Sequence, residues 1–460
     1  MFFETDPDAL FSTSTRGAIP LHRVTSAQMG KLAEMFGKDV ARWAAANGFE
    51  GNAGETLPVP DATGKLKRVL CGIGNGVSPL SNGSVARKLP AGRYIFKDGD
   101  DVGADQLSWA LSGYDFQRYR GTSRSSALLA GKRDNDAKRI AEGVFITRDL
   151  INTPANDMGP EALEAATRKL ARHHKAKVRV VKGDKLLSDN FPMIHAVGRA
   201  SVQAPRLLDL TWGKAKDPRI TLVGKGVTFD TGGLNIKPGS SMALMKKDMG
   251  GAANVLGLAH MIMSAKLQVR LRVIIGAVEN AISGNAFRPG DVLQSRKGIT
   301  VEIGNTDAEG RLVLGDCLAL GDEESPVLMI DIATLTGAAR VALGPDLAPF
   351  YTHDDDFAAK LEGSAQTVQD PVWRMPLWQP YHKLMTSKVA DVNHINTSGT
   401  GFAGSITAAL FLSRFVEKAR CWAHFDVFGW VPSAKPWAPV GGEAQAVRAL
   451  YDMLVKQYPR

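Results

Sequence analysis

Four carboxylates and three cations hold the chemical potential of this sequence. Asp230 lies in "VGKGVTFDTGGLNIKPG" (223–239), Asp248 in "MALMKKDMGGAANV" (242–255), and Asp307 and Glu309 in "NTDAEGRL" (305–312). The last stretch sets Asp307, Glu309 and Arg311 at every second position. In an extended backbone such residues share a face, so two carboxylates and a guanidinium would converge. Two carboxylates on one face repel, and one is driven towards its neutral form unless a cation sits between them. A structural reading competes. Thr306-Asp307-Ala308-Glu309 fits the T-x-x-E capping box, and the apolar "RLVLGDCLAL" can be the helix it begins. Asp248, just before "GGAA", is explained equally well as a helix N-terminal acid favoured by the macrodipole. Lys225 would ordinarily be a solvated loop lysine. Its place between Gly224 and Gly226, at the end of an apolar run, weakens that reading. Gly232 and Gly233 allow the sharp backbone redirection that carries Lys237.

Taken together, the carboxylates bring a charge of about −4 to one predicted cleft, which two divalent ions would neutralise. Oxygen-dominated ligands suit zinc, manganese or magnesium better than copper or an iron–sulfur cluster. The H-E-x-x-H signature is absent, and none of the nine histidines lies in these stretches. His394 and His424 read as structural or surface residues. Any metal site is therefore built from carboxylates.

Strands and helices alternate around these stretches. "AKVRVV", "RITLVG", "VRLRVIIGAVEN" and "PVLMIDIATL" read as strands; "EALEAATRKLARHH" and "GGAANVLGLAHMIMSA" read as helices. The pattern predicts an α/β fold, a central mixed sheet flanked by helices, with ligands at the strand ends. Before it, residues 1–135 mix strand-like "KRVLCGIG" and "GRYIF" with helical "AQMGKLAEMFG" and "DQLSWALSGYDF", a smaller α/β domain. "CGIGNG" lacks the third glycine of a dinucleotide loop and reads as a plain turn. The polar, small-residue "GTSRSSALLAGKRDND" is a candidate boundary. A connecting helix follows over 136–153, opening a larger domain that runs to 460, and "NTPAN" ends the helix.

At 460 residues, two domains are the prior. A hydrophobic share of 44% with 22% charged is that of a globular chain, and no apolar run reaches the length of a membrane span. Cys71, Cys317 and Cys421 are few and far apart, which suits reduced core thiols in a cytoplasm-like compartment. The start, "MFFETDPDALF", lacks the layout of a signal peptide. The net charge of +9 is spread along the chain, which argues against sequence-specific nucleic-acid recognition and leaves non-specific polyanion contact open.

"GKGVTFDTGG…IKP", "MKKDMGGAA" and "NTDAEGRL", with their spacing, resemble the leucine aminopeptidase (cytosol aminopeptidase) family of two-metal peptidases. "NTPAND", "DIATLTGA", "RMPL", "ADVNHI" and "GSITAALFL" extend the resemblance over roughly residues 140 to 430. It implies one metal held by Asp230, Asp307 and Glu309, and a second held by Lys225, Asp230, Asp248 and Glu309. A lysine ligates only as a neutral amine, and two nearby dications would depress its pKa far enough. Lys237 and Arg311 match the two non-ligand catalytic positions, Arg311 as the holder of a bicarbonate ion acting as general base. The implied nucleophile is a water between the two metals that loses a proton near neutral pH. One metal would bind the substrate's free α-amino group, so that only the N-terminal residue of a peptide is removed. Met245, Thr334, Leu335 and Gly337 match positions that line the side-chain pocket or contact the peptide backbone, and they suit a leucine-like residue. "GGEAQAVRAL" departs from the family pattern, with Glu443 where small residues are usual. The resemblance further implies a cytoplasmic homohexamer that needs no membrane. Some relatives serve as DNA-bound accessory factors, so that a DNA-binding or regulatory role is the alternative.

Overall fold

The computed structural model describes residues 6–75, 80, 83, 85–97, 102–120 and 127–460. They divide into two compact units, Met1–Phe145 with Val431–Val440, and Ile146–Trp430 with Gly441–Arg460. The division falls inside the helix Asn135–Asn152.

The first unit is built on a six-stranded sheet. Its order is Phe11–Ser12, Ala127–Ala130, Gly92–Phe96, Ile19–Thr25, Leu66–Gly74 and Thr56–Pro60. All neighbours run parallel except the last pair. Leu21, Val69, Tyr94 and Trp109 meet in its core. The helix expected over "AQMGKLAEMFG" is split into a 3-10 turn, Ser26–Lys31, and a short helix, Leu32–Phe36. Gly30, inside the first piece, is a poor helix former, and Thr25 with Gln28 closes a capping box on the turn. "CGIGNG" finishes the strand Leu66–Gly74 rather than opening a helix, and its Gly76 lies outside the described residues. Residues 121–126 of the small-residue stretch also lie outside them, while Ala127–Ala130 is a strand of the sheet.

The second unit carries an eight-stranded mixed sheet. Edge to edge it runs Val372–Arg374, Ala348–Thr352, Trp422–Asp426, Leu328–Ala333, Arg219–Asp230, Arg270–Asn280, Arg206–Trp212 and Lys177–Lys182. The four strands from Trp422–Asp426 to Arg270–Asn280 are parallel, and antiparallel pairings begin on either side of them. Arg219–Asp230 runs well past the apolar "RITLVG" because Arg270–Asn280 stays paired with it as far as Asp230. The helices Pro160–His174 and Gly250–Ala265 form where apolar spacing places them. All three cysteines are buried thiols. Among the described residues no helix is long and apolar enough to cross a membrane.

Small residues set the distance between helix and sheet. A Cβ added to Gly251 would lie 2.1 Å from the Ile332 carbonyl and 2.8 Å from the Lys225 nitrogen. One added to Gly224 would lie 2.7 Å from the Cα of Ala252. The helix that begins at Gly250 is thereby pressed against the strand that carries Lys225, closer than any side chain would permit.

A charge pair is buried towards the far side of the same sheet. Arg272 donates to both oxygens of Asp209, at 2.9 and 2.8 Å, and the two side chains are 9% and 8% exposed. Removing one partner strands the other charge in a poor dielectric. Arg272→Met should therefore cost about 3–5 kcal/mol, read as a fall in the urea midpoint of unfolding. A midpoint unchanged from wild type would show that Asp209 finds another partner.

Candidate metal centre

The carboxylates converge where the central strands end. Asp230 is the last residue of Arg219–Asp230, and Lys225 lies five positions earlier on the same strand. Asp248 arrives on the 3-10 turn Met245–Met249, which leads directly into the helix Gly250–Ala265. Asp307 and Glu309 come from the segment before the helix Gly310–Asp322. Oxygens of Asp230, Asp307 and Glu309 lie within 4.8 Å of one another. Asp248 joins them through Lys225, whose Nζ is 2.7 Å from Asp248 Oδ2 and 3.0 Å from Glu309 Oε1. Lys237 Nζ stands 2.9 Å from Asp230 Oδ2 and also touches Asp307. Asp230, Asp248, Glu309 and Lys225 are all buried.

The route to this convergence differs from the expected one. Residues 305–312 are not extended: Thr306–Ala308 is a 3-10 turn and Glu309 is the N-cap residue of the next helix. The capping box is not formed either. Thr306 donates its hydroxyl to the Gly232 carbonyl at 2.7 Å and accepts from Asn235 N at 2.8 Å, while Asn305 caps the turn through Asp307 N. A tight turn, held by the loop that follows Asp230, aims the two carboxylates together. Gly232 and Gly233 make that loop possible with φ of 88° and 63°.

Electrostatics leave the centre short of positive charge. Burial, followed by the Asp230 carboxylate, pushes Glu309 up to about 8, and burial with Asp248 raises Asp230. Burial alone would lower the Lys225 ammonium, but Asp248 and Glu309 outweigh it and hold the group above the ordinary lysine value. Asp248 Oδ2, Asp307 Oδ1 and Glu309 Oε1 are buried against the Lys225 and Lys237 ammonium groups, two cations set among four carboxylates. Buried carboxylate oxygens normally accept hydrogen bonds or coordinate a metal. Acceptors of this kind, mutually repelling and aimed at common points, fit hard divalent ions.

Several residues that sequence reasoning missed hold the ligands in place. Asn280 donates its amide to Asp230 Oδ1 at 2.8 Å and to the Thr306 carbonyl at 3.1 Å, joining the two ligand-bearing loops. The signal for it was its position, since it ends the neighbouring strand level with Asp230. Of the structural and surface readings of His394 and His424, the structural one holds, since both are fully buried. His394 Nε2 bonds the Asn305 carbonyl at 2.9 Å, and its own carbonyl accepts Arg311 Nη1 at 2.7 Å. His424 pairs with Asp331, which also accepts from the Trp422 indole at 2.8 Å. Asp426 accepts the Leu335 and Thr336 amides, both at 3.0 Å, and fixes the turn after Leu328–Ala333.

The four expected pocket residues separate into two groups. The Thr334 hydroxyl lies 2.9 Å from the carbonyl and from Oδ1 of Asp248, and its carbonyl accepts Lys225 Nζ at 3.0 Å. It braces the centre. Met245 and Leu335 are half-buried, and Gly337 is exposed with open space where a side chain would point. Glu443 is held by Arg148 through two bonds of 3.1 and 2.9 Å, a pairing that accounts for its departure from small residues.

Comparison with known proteins places the chain in a family. "Cytosol aminopeptidase family, catalytic domain" matches residues 145–451, and "M17 aminopeptidase, N-terminal domain" matches 19–131. A probable cytosol aminopeptidase of Sinorhizobium medicae is 39% identical over 428 residues, covering 85% of each chain. The bottromycin maturation enzyme BotP, solved in complex with Mn, superposes with a TM-score of 0.84 at 30% identity, covering 96% of this chain and 99% of its own. These names describe peptidases and a maturation enzyme, and none describes a DNA-binding protein. The cytosol aminopeptidase of Coxiella burnetii superposes with a TM-score of 0.94 at 43% identity, over 98% of this chain and 100% of its own. Matched across both units and nearly its full length, this chain belongs to the cytosol aminopeptidase family.

Proposed function

We propose that the protein is a metal-dependent aminopeptidase that releases leucine-like residues from the free N-terminus of peptides, with its chemistry centred on Asp230, Asp248, Asp307 and Glu309. The observation that carries this reading is the crowding of carboxylates near the ends of parallel strands, where oxygens of Asp230, Asp307 and Glu309 lie within 4.8 Å of one another and burial with mutual repulsion raises Glu309 and Asp230. Asp230, Asp307 and Glu309 would hold one divalent ion, and Lys225, Asp230, Asp248 and Glu309 the other, zinc or manganese ahead of magnesium. Bound there, such ions supply Lewis acidity and a lowered pKa for coordinated water.

The chain's own residues do the rest. Lys225 must give up its proton to become a ligand, so loading of that position is opposed by the carboxylates that now hold the ammonium. Lys237, only partly shielded, donates to the scissile carbonyl and stabilises the negative charge that develops on its oxygen. Arg311 is buried, its Nε has no hydrogen-bond partner, and burial draws its pKa down to about 10. That unfilled donor suits a small anion, and bicarbonate acting as general base is the assignment. Met245, Leu335 and Gly337 border the space for the substrate side chain, with Thr334 setting its floor. The reading extends to a homohexamer, which sedimentation of the purified protein would test, and to a place in the cytoplasm, which cell fractionation would test.

The deciding experiment pairs metal analysis with a panel of aminoacyl amides. Protein loaded with manganese or zinc should cleave leucyl and methionyl amides, lose that activity on chelation and regain it on reloading. N-acetylated peptides should resist. A loaded enzyme that cleaves no free-amine peptide would refute the assignment.

A further inference from the structure

We propose that His173, His174 and His260 form a further metal site, distinct from the carboxylate centre, which takes a divalent zinc, nickel or copper ion on three imidazoles. His173 and His174 end the helix Pro160–His174, and His260 sits within the helix Gly250–Ala265. One nitrogen from each ring lies within 4.8 Å of the other two. His174 Nε2 and His260 Nδ1 are 3.0 Å apart. Tetrahedral zinc, with bonds of about 2.0–2.1 Å, needs its ligand nitrogens about 3.3 Å apart. Small ring rotations therefore close the site without moving the backbone. The ring centroids are separated by 4.6, 5.0 and 6.0 Å, so all three imidazoles crowd one point.

The surroundings suit a cation. His260 is buried, His174 half-buried and His173 exposed, which gives the cluster a fixed anchor and a side open to solvent. His260 Nε2 lies 3.3 Å from the Ser264 hydroxyl, which can accept that N–H and turn the Nδ1 lone pair towards His174. In the His174–His260 bond one ring nitrogen carries a proton; a shift of tautomer moves it to the outer nitrogen and frees both lone pairs. His173 and His174 also sit at a helix C-terminus, where the carbonyl dipoles favour positive charge.

Neutral imidazoles prefer zinc, nickel and copper, whereas carboxylates also accept manganese and magnesium. His260 lies roughly 15 Å along its helix from Gly250, next to the carboxylate centre. The two sites can therefore be filled with different metals. An ion on the three histidines would tie the end of one helix to the middle of another, and it would stabilise the fold by binding it in preference to the unfolded chain.

The test uses full-length, tag-free protein saturated with manganese and then dialysed against zinc. Wild type should retain one zinc ion per chain more than the double variant His173→Ala/His174→Gln, and zinc should raise its Tm more than the variant's. His173→Ala alone, at an exposed position, should weaken zinc retention at least tenfold without unfolding the chain. With copper(II), the wild-type-minus-variant electron paramagnetic resonance spectrum should show splitting from imidazole nitrogens. Equal zinc contents in wild type and both variants, with no difference spectrum, would overturn the proposal.

Discussion

Glu309→Gln should abolish most hydrolysis while leaving the protein folded. Glu309 is 1% exposed, and burial with its carboxylate neighbours already pushes its proton affinity up, so its charge is a cost that only a cation offsets. The amide has nearly the same shape and removes that charge. Lys225 keeps Asp248 at 2.7 Å, so no ammonium is stranded. kcat/KM should fall by no less than the roughly 10²–10³ that loss of a single electrostatic group costs an enzyme. Metal content should fall in the same sample, and the Tm of the chelated protein should hold. Activity within tenfold of wild type, at full metal loading, would remove Glu309 from the ligand set.

The second large effect separates two glycines that look alike in sequence. At Gly310 an added Cβ would meet Lys225 Cε at 2.4 Å and Nζ at 2.8 Å, the far end of a flexible side chain. Gly310→Ala should therefore push Lys225 aside, keep the fold and lose activity by about 10²-fold or more. At Gly251 the obstacle is backbone, with the Ile332 carbonyl 2.1 Å away. No rotamer relieves that contact. Gly251→Ala should cost at least the about 1–3 kcal/mol of an overpacked core, seen as a lowered Tm and poor soluble yield. Equal behaviour of the two variants, by Tm and by kcat, would contradict this division.

The convergence of the carboxylates was legible because acids near strand ends and small residues at a helix start point to one cleft when taken together, although each stretch alone also had a structural reading. Asp230, Asp248, Asp307, Glu309 and the two lysines all come together. The local backbone at 305–309 was not legible: spacing by two suggested extension and T-x-x-E suggested a capping box. The turn is decided instead by Thr306 meeting Gly232 and Asn235, partners about seventy residues away. The same limit hid Asn280 and Asp426, polar residues whose partners exist only once the sheet is in register. His174 and His260 stand 86 positions apart, and neither lies in a motif.

The glycine seam between the helix and the central strand sets a condition on anyone wishing to transplant this chemistry. Copying the charged side chains onto another α/β scaffold would leave Asp248 too far from Lys225, because ordinary residues at 224 and 251 hold helix and strand apart. The portable unit is thus the bare-backbone joint together with the acids it brings within reach. A design that inherits the acids alone should yield a folded but inert protein.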